Sequence, residues 1–498
     1  MAPQIGTFDI AIAGGGPAGS VAAVLLARAG FSVALATLPP RAPRYEGMSA
    51  RVAAILARHH LPLAGIGPAA QRHVSWGAFQ GGQNSEHLAD RSAFDAGLLE
   101  AVRAEGVSVI YAAVSSVRPE AGEIRLADGQ SIAARLLFEA RGRRAPRQSS
   151  DLNRAELVGP DTISVAGFVP PQAGDMETPR IEARPDGWVW SVPVDRERLW
   201  LQAVGAAASL GQTGGKTAVT ALWQTVAGDA PMPRRPVVHA IAPRLAAPDL
   251  DPRCPRLGDA AVALDPLSGH GMFWAVSSAL MAVPVARALL SGEAELAREF
   301  YRNRVAETFW RQARVGRDFY REAGFQTPFW QQRAAWPDDA PAHDTDIRPH
   351  TATRVVVQDG HLARREVLIT RDAPGGAAFA AGQEIVPLLR RLDGQPLPDA
   401  TRFHSAVLPE APPQAARAIH QWLLSQGFTE GRRSPGTLQT GRLNHATTTP
   451  RPDGCTSDIC GGRGAGDGQR GAAEEHLLCL PHGRGGRAEP DQRPAQDA

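Results

Sequence analysis

The sequence predicts a mixed α/β and α+β protein. A parallel-sheet α/β domain is interrupted by an antiparallel sheet and followed by a small winged-helix-like domain. Three observations predict this. A strand, a glycine turn, a helix and a second strand follow one another in residues 8–37. Between 163 and 206 the apolar runs are short and strand-like, and after 256 the alanine-rich helical style returns. A nucleotide domain holding a sheet insertion accounts for that order better than domains in tandem. The expected boundaries are 1–150 with 250–330 for the discontinuous nucleotide domain, 151–249 for the inserted sheet, 345–431 for the small domain and 432–498 for a disordered tail.

In order along the chain, Phe8–Ala13 reads as a short apolar strand, Gly14–Gly19 as a tight turn, Ser20–Ala29 as a helix closed by Gly30, and Phe31–Ala36 as a strand. Helices are expected at Ser49–His59 and Asp90–Ala104, the second with Phe94, Leu98 and Leu99 on its apolar face and Asp95 outside. Val107–Val117 and Ile124–Phe138 read as strands, the latter broken by an Asp128-Gly129 turn. The inserted sheet takes Ile163–Val169, Arg180–Arg184, Gly187–Val192 and Leu199–Ala206, with a helix at Thr217–Val226. A short strand ends in Arg256–Asp259, and helices follow at Gly269–Leu290 and Leu296–Ala323. In the small domain, strands Arg354–Val357 and Glu366–Thr370 flank an Asp359-Gly360 turn, and Ala380–Leu392 and Gln414–Gln426 are amphipathic helices.

Composition narrows the function. The 498 residues carry 43% apolar and 21% charged side chains, as a globular enzyme does, and the net charge is only +2. Residues 351–431 hold eight arginines against eight carboxylates, so the winged-helix-like domain lacks the electrostatic footprint of a nucleic-acid binder. Of 53 basic residues one is a lysine, Lys216, so chemistry that needs a lysine amine has one candidate. No basic segment precedes an apolar stretch at the start of the chain, and the apolar run 271–286 is interrupted by Ser277, Ser278 and Pro284. The expectation is a cytoplasmic protein with no membrane span. Four cysteines, three of them near the C-terminus, form no disulfide framework. After residue 432 there are 12 glycines, 6 prolines and no aromatic, too little to bury a core; an out-of-frame extension of a GC-rich gene is the alternative to a disordered tail. Cys455, Cys460, His476, Cys479 and His482 are only loosely zinc-like in spacing, and no metal site is expected.

Two motifs carry the chemistry. Gly14-x-Gly16-x-x-Gly19 lies between a strand and a helix, where glycines let the backbone approach a pyrophosphate at a helix N-terminus. The acidic residue that would hold a ribose at the end of the second strand is replaced by Thr37. Far downstream come Gly258-Asp259-Ala260-Ala261, Asp265-Pro266 and Gly269-His270-Gly271-Met272, the last opening a helix. A carboxylate at a strand end accepts hydrogen bonds from polyol hydroxyls, and free N–H groups at a helix N-terminus stabilise negative charge.

The two motifs, about 240 residues apart around a sheet insertion, together resemble flavoproteins of the para-hydroxybenzoate hydroxylase type. That group includes aromatic hydroxylases, geranylgeranyl reductases and flavin-dependent halogenases. The resemblance spans residues 5–330 and implies a Rossmann-like FAD-binding domain of the glutathione-reductase-like type, with FAD held by Gly14, Gly16, Gly19, Gly258, Asp259, Pro266, Gly269, Gly271 and Met272. It also implies flavin contacts from Arg51 in Ser49-Ala50-Arg51-Val52 and from Arg91 in Asp90-Arg91-x-x-Phe94-Asp95, and an adenine contact from the Val114 backbone. Ala140-Arg141-Gly142 stands where the family has Ala-Thr-Gly. For each arginine the plain alternative is a solvated surface charge.

Trp188-Val189-Trp190-Ser191-Val192-Pro193 resembles the Trp-x-Trp-x-Ile-Pro signature of the halogenases, which lines the substrate side of the flavin; two tryptophans on one face of a half-buried strand is the alternative. His270 and Asp265 are candidate bases, with packing as the alternative. In the halogenases a lysine N-terminal to this signature relays hypohalous acid. Between Met1 and Trp188 there is none. Lys216, in Gly214-Gly215-Lys216-Thr217, comes too late, and Leu210 stands where a phosphate loop needs its first glycine. The resemblance therefore implies oxygenation through a flavin C4a-hydroperoxide, with O2 as co-substrate and NAD(P)H or a separate reductase as electron source.

Residues 380–394 and 415–427 resemble small peptide-recognition domains, with a structural cap as the alternative. With a halogenase-like core, the combination resembles the maturation flavoproteins of quinohaemoprotein amine dehydrogenase, in which a subunit tryptophan is hydroxylated on the way to a quinone. It implies a peptide or protein substrate, an amine dehydrogenase subunit among the candidates. Two other classes remain open: a flavin reductase of the geranylgeranyl-reductase type acting on a small or lipid substrate, and a non-catalytic flavoprotein that delivers a peptide to another enzyme.

Overall fold

The computed structural model describes residues 4–39, 43–146, 157–171, 178–207, 215–343 and 347–430. The expected tail 432–498, with the cysteines and histidines weighed as zinc ligands, lies outside the described residues. The chain divides into two units, Met1–His343 and Asp344–Ala498.

The large unit begins β1 (Gln4–Ala13), α1 (Pro17–Arg28), β2 (Val33–Thr37), β3 (Tyr45–Ser49), α2 (Ala50–Arg58), β4 (Ile66–Trp76), β5 (Phe79–Asp90), α3 (Arg91–Ala104), β6 (Ser108–Tyr111), β7 (Val114–Arg118), β8 (Glu123–Leu126) and β9 (Ser131–Glu139). It continues β10 (Leu157–Val158), β11 (Thr162–Val169), β12 (Arg180–Arg184), β13 (Gly187–Pro193), β14 (Leu199–Ala206), α4 (Gly215–Ala227), β15 (Val237–Ala240), β16 (Arg244–Leu245), β17 (Val262–Ala263), α5 (Gly271–Leu280), α6 (Ala282–Leu290), α7 (Ala294–Glu322) and α8 (Pro328–Ala334).

Its first sheet has the order β6-β2-β1-β9-β8-β7, parallel from β6 to β9. The second half of β1 (Ile10–Ala13) and all of β2 are buried, as strand segments covered on both faces must be. The strand order reverses at β1, so the loops after β1 and β9 flank the crevice where such sheets bind ligands. β8 pairs only with the first residues of β9. Along the rest of β9 runs the segment 253–257: Glu139 N–H donates to Pro255 O (2.9 Å) and Leu257 N–H to Glu139 O (3.0 Å). This pairing carries Gly258 and Asp259 to the carboxyl end of the sheet.

The second sheet has the order β15-β11-β14-β13-β12-β4-β5-β3. It is curled, because Tyr45 on the β3 edge packs 5.8 Å from Phe168 on β11 and 5.7 Å from Trp200 on β14, between ring centroids. One face carries Trp188, Trp190, Val192 and Trp200, together with Leu267, Tyr320 and Trp330. The other carries Val189, Leu199, Leu201 and Ala203, covered by Leu222, Trp223 and Val226 of α4.

Several expectations are corrected. The long hairpin β4–β5, in residues that showed no strand signal, and β3 all join the second sheet, which is mixed and not wholly antiparallel because β4 runs parallel to β12. The strand expected at Val107–Val117 is two, separated at Ala112 and Ala113. Arg256 makes only an isolated bridge to Glu139, and Gly258–Ala260 is a 3-10 turn, not a strand end. The helix expected at Gly269–Leu290 is broken at Met281, because Pro284 has no N–H for the Leu280 carbonyl. The helical stretch 271–290 is long and apolar enough to cross a membrane (mean hydropathy 1.6), but it packs through the core, with 61% of that window buried.

In the small unit β18 (His350–Gln358) and β19 (His361–Ile369) form a hairpin about Asp359 and Gly360, both in the left-handed region. β20 (Phe379–Ala380) and β21 (Gln383–Glu384) make a second, minimal hairpin. Then come α9 (Ile385–Leu392), α10 (Ala400–Arg402) and α11 (Pro413–Ser425). The helix expected from Ala380 starts five residues later, because Ala381 and Gly382 turn with φ of 44° and 78°. Leu388, Leu389, Phe403, Ile419 and Leu423 close this unit's own core.

Candidate cofactor and substrate site

The glycines of the first motif divide by what surrounds them. A Cβ on Gly14, at φ +110°, would lie 2.5 Å from Ala140 O, and one on Gly19 would lie 1.9 Å from Gly14 O. These two let the turn close on itself and on the loop after β9. A Cβ on Gly16 meets nothing within 4 Å. Gly16 is also the N-cap of α1, and no side chain caps its first N–H groups. The sequence therefore builds an open, donor-lined seat at the positive end of a buried helix.

The second motif arrives at the same place. Gly258, at φ +55°, fits against Ala18, where a Cβ would come within 2.9 Å of the Ala18 Cβ. Helix α5 holds it: Gly258 N–H donates to Ser278 Oγ (2.9 Å) and Trp274 Nε1–H to Gly258 O (3.1 Å). Asp259 beside it is about one-third exposed and faces Arg143 Nε at 3.3 Å. Arg143 is tied to the carbonyls of Ala242 and Leu264. Gly269 (φ +66°) and Gly271 again have nothing within 4 Å of a Cβ, and α5 starts at the N-cap His270 with no side-chain cap. His270 is half-buried, with its ring edge-on to Phe273. Met272 is buried one position into the helix.

Asp265 caps the turn between these elements. Its Oδ1 accepts from Leu267 N–H (2.9 Å), and Pro266–Ser268 forms one 3-10 turn that ends at Gly269. Tyr320 OH donates to Asp265 Oδ2 (3.1 Å), and Trp188 Nε1–H donates to Tyr320 OH (3.4 Å). Burial pushes the Asp265 carboxyl up, opposed by the Leu267 N–H and the Tyr320 hydroxyl. Burial also pushes the Tyr320 phenol well up, reinforced by the Asp265 charge. Trp190 donates Nε1–H to Glu86 Oε1 (3.0 Å), and Arg72 lies 3.6 Å from Glu86. Both tryptophans of the signature thus share one buried face and have their N–H groups satisfied, as the strand alternation implied.

The other expected contacts spread around the crevice. Arg91 is buried; its fork grips Asp95 (3.0 and 3.1 Å) and its third nitrogen reaches Glu46 (2.7 Å). Arg51 is the second residue of α2 and half-buried. The Val114 carbonyl accepts from Arg141 Nη1 (3.3 Å), while Arg141 is also paired with the buried Glu139. Thr37 is buried at the end of β2, so no carboxylate stands where a ribose is commonly held. Sequence reasoning did not find Tyr320, Glu86 or Arg333. Tyr320 did leave a signal: it ends a stripe of buried positions on α7 (Tyr301, Val305, Phe309, Ala313, Gly316), and a buried phenol demands a partner.

The residues present fit FAD. Two uncapped helix N-termini, each beside glycines that leave space, stand at one crevice with a carboxylate between them, next to an aromatic sheet face. Among the described residues no group of His, Cys, Asp and Glu is placed to hold a metal ion.

No protein-family model matches the chain, and no curated protein matches it. Among solved structures it is similar to the peptidyl tryptophan dihydroxylase QhpG, essential for tryptophylquinone cofactor biogenesis, at 33% identity and a TM-score of 0.67, over 85% of this chain and 100% of that one. It is similar in fold to CmlS, a flavin-dependent halogenase, at 18% identity and a TM-score of 0.63 over 88% and 99% of the two chains. It is similar in fold also to Xcc4156, a flavin-dependent halogenase from Xanthomonas campestris, at 16% identity and a TM-score of 0.52 over 68% and 82%.

Proposed function

Because the chain belongs to the family of the peptidyl tryptophan dihydroxylase QhpG, we propose that it is an FAD-dependent monooxygenase that hydroxylates a tryptophan side chain of a peptide or protein. The crevice residues each take a part. The N–H groups of Gly16 and Ala18 would hold the pyrophosphate, Asp259 would accept from ribityl hydroxyls, and the N–H groups at Gly269–Gly271 would stabilise negative charge on the reduced ring. Arg51, Arg91 and the Val114 backbone complete the cofactor site. Bound FAD supplies the two electrons that turn O2 into an electrophilic oxygen, taken in turn from NAD(P)H or a separate reductase. One oxygen atom replaces a ring hydrogen and the other leaves as water.

The protein's own work is to hold and dry the target. The face bearing Trp188 and Trp190 is apolar, aromatic and closed by Leu267, Tyr320, Phe329 and Trp330, a dry wall behind the turn that feeds α5. His270, the N-cap of α5, takes the proton from the substituted ring; Asp265 is the second candidate for that role.

The observation that carries oxygenation over halogenation is the position of Lys216. It is the chain's one lysine and sits exposed at the start of α4, the helix that covers the sheet face opposite Trp188 and Trp190. No ammonium reaches the aromatic face to relay hypohalous acid. The reading continues to a tryptophan in an amine dehydrogenase subunit, modified in the cytoplasm on its way to a quinone cofactor, with the 345–431 domain aiding recognition of the peptide. In a turnover of reduced protein with a tryptophan peptide in bromide buffer, the product is expected to gain oxygen alone. A bromine isotope doublet in its mass spectrum would replace this reading with halogenation.

A further inference from the structure

The aromatic sheet face and the turn that feeds α5 meet at one buried hydroxyl. Tyr320 accepts from Trp188 on β13 and donates to Asp265, whose Oδ1 caps Leu267 N–H at the start of the Pro266–Ser268 turn. The turn is further closed by Ser268 Oγ–H donating to Asp265 O (2.8 Å) and by Gly269 N–H donating to Pro266 O (3.0 Å). The direction of the Asp265 side chain therefore decides where Gly269, His270 and the first N–H groups of α5 stand.

Asp265 has free space beside it. A small cavity lies against it, lined also by Thr162, Gly316, Tyr320 and the buried Arg333. Gly316, one turn before Tyr320 on α7, keeps this side open, since a Cβ there would lie 3.7 Å from the Asp265 Cβ. Two hydrogen bonds hold the carboxylate on the turn, from Leu267 N–H and from the Tyr320 phenol, and without the phenol one of them remains.

We propose that Tyr320 is a positioning residue for the flavin: by fixing Asp265 as the turn cap, it sets the Gly269–Gly271 backbone and the N-terminus of α5 against the cofactor ring. The inference rests on the reading of the protein as an FAD enzyme. It says that Tyr320 acts through Asp265, which a double-mutant cycle measures directly.

The test is FAD titration into apoprotein, with the midpoint potential of the bound flavin, for wild type, Tyr320→Phe, Asp265→Ala and the double variant. Tyr320→Phe keeps the ring that packs on Phe329 and Trp330, so the fold survives. It is expected to weaken FAD about tenfold, the size of one hydrogen bond to a charged group, and to shift the midpoint potential, which general loss of stability does not move. The double variant is expected to bind FAD no more weakly than Asp265→Ala alone. Unchanged affinity and potential in Tyr320→Phe, or losses that multiply in the double variant, overturn the inference while wild-type FAD binding leaves the functional reading standing. A wild-type protein that takes up no FAD overturns both.

Discussion

Gly19→Ala is expected to unfold the nucleotide-binding half of the large unit at markedly lower temperature. The added Cβ would lie 1.9 Å from the Gly14 carbonyl oxygen and 3.2 Å from the Ala140 Cβ. The first of these is backbone, in a turn that is itself fixed by the close approach of Gly14 to Ala140. No flexible side chain can yield. Either α1 slides away from β1, losing the packing of Val21, Ala22 and Val24 in the core, or the turn opens. Overpacking of this severity costs about 3 kcal/mol, or a fall of roughly 4 °C in the melting midpoint for a unit of this size. A melt of the apoprotein by circular dichroism checks it, and a midpoint within about 2 °C of wild type contradicts the close packing of this turn.

Gly16→Asp, three residues earlier, is expected to do the opposite to the fold and more to the function. Gly16 has φ −73° and ψ −176°, ordinary extended backbone at a helix N-cap, and the space beyond its Cβ position is open. An aspartate there caps the free N–H groups of α1 and meets the positive helix end, adding about 1 kcal/mol to the apoprotein. It also fills the seat that the pyrophosphate needs and sets a negative charge against it. FAD affinity should fall by more than about a hundredfold, some 3 kcal/mol from repulsion and lost N–H donors together. The expected pair of results is an equal or higher apoprotein midpoint and no FAD retained through gel filtration. Retention of FAD by Gly16→Asp would place the pyrophosphate elsewhere. Together the two variants separate glycines needed to close the turn from the glycine needed to leave it open.

How much of this was legible in the sequence follows from how local each signal is. The glycine turn after β1 and the strands of 162–206 could be read directly, because glycine spacing and apolar runs act over a few residues, although the turn ends at Gly16 and α1 starts at Pro17 and not at Ser20. β4 and β5 could not. Their residues (IGPAAQRHVSW and FQGGQNSEHLAD) lack apolar alternation, are largely half-exposed or exposed, and hold strand geometry only through pairing with each other and with β12 and β3. The candidate residues Asp259 and Gly269–Gly271 could be picked out because they stand in recognisable local patterns. The polar contacts behind it were not: Tyr320 reaches Trp188 across 132 residues and Glu86 reaches Trp190 across 104, separations that only the curled sheet brings together. The near-absence of lysine kept its meaning and gained a location. Lys216 is on the wrong face of the sheet, besides being on the wrong side of the tryptophan signature.

The central claim is that oxygen from O2 enters a tryptophan ring. It is tested by giving the reduced, FAD-loaded protein a tryptophan-containing peptide under 18O2 and weighing the product. The account predicts a gain of one labelled oxygen per hydroxylation, on the tryptophan in fragment spectra. A peptide whose mass is unchanged, or changes only by two hydrogens, contradicts it.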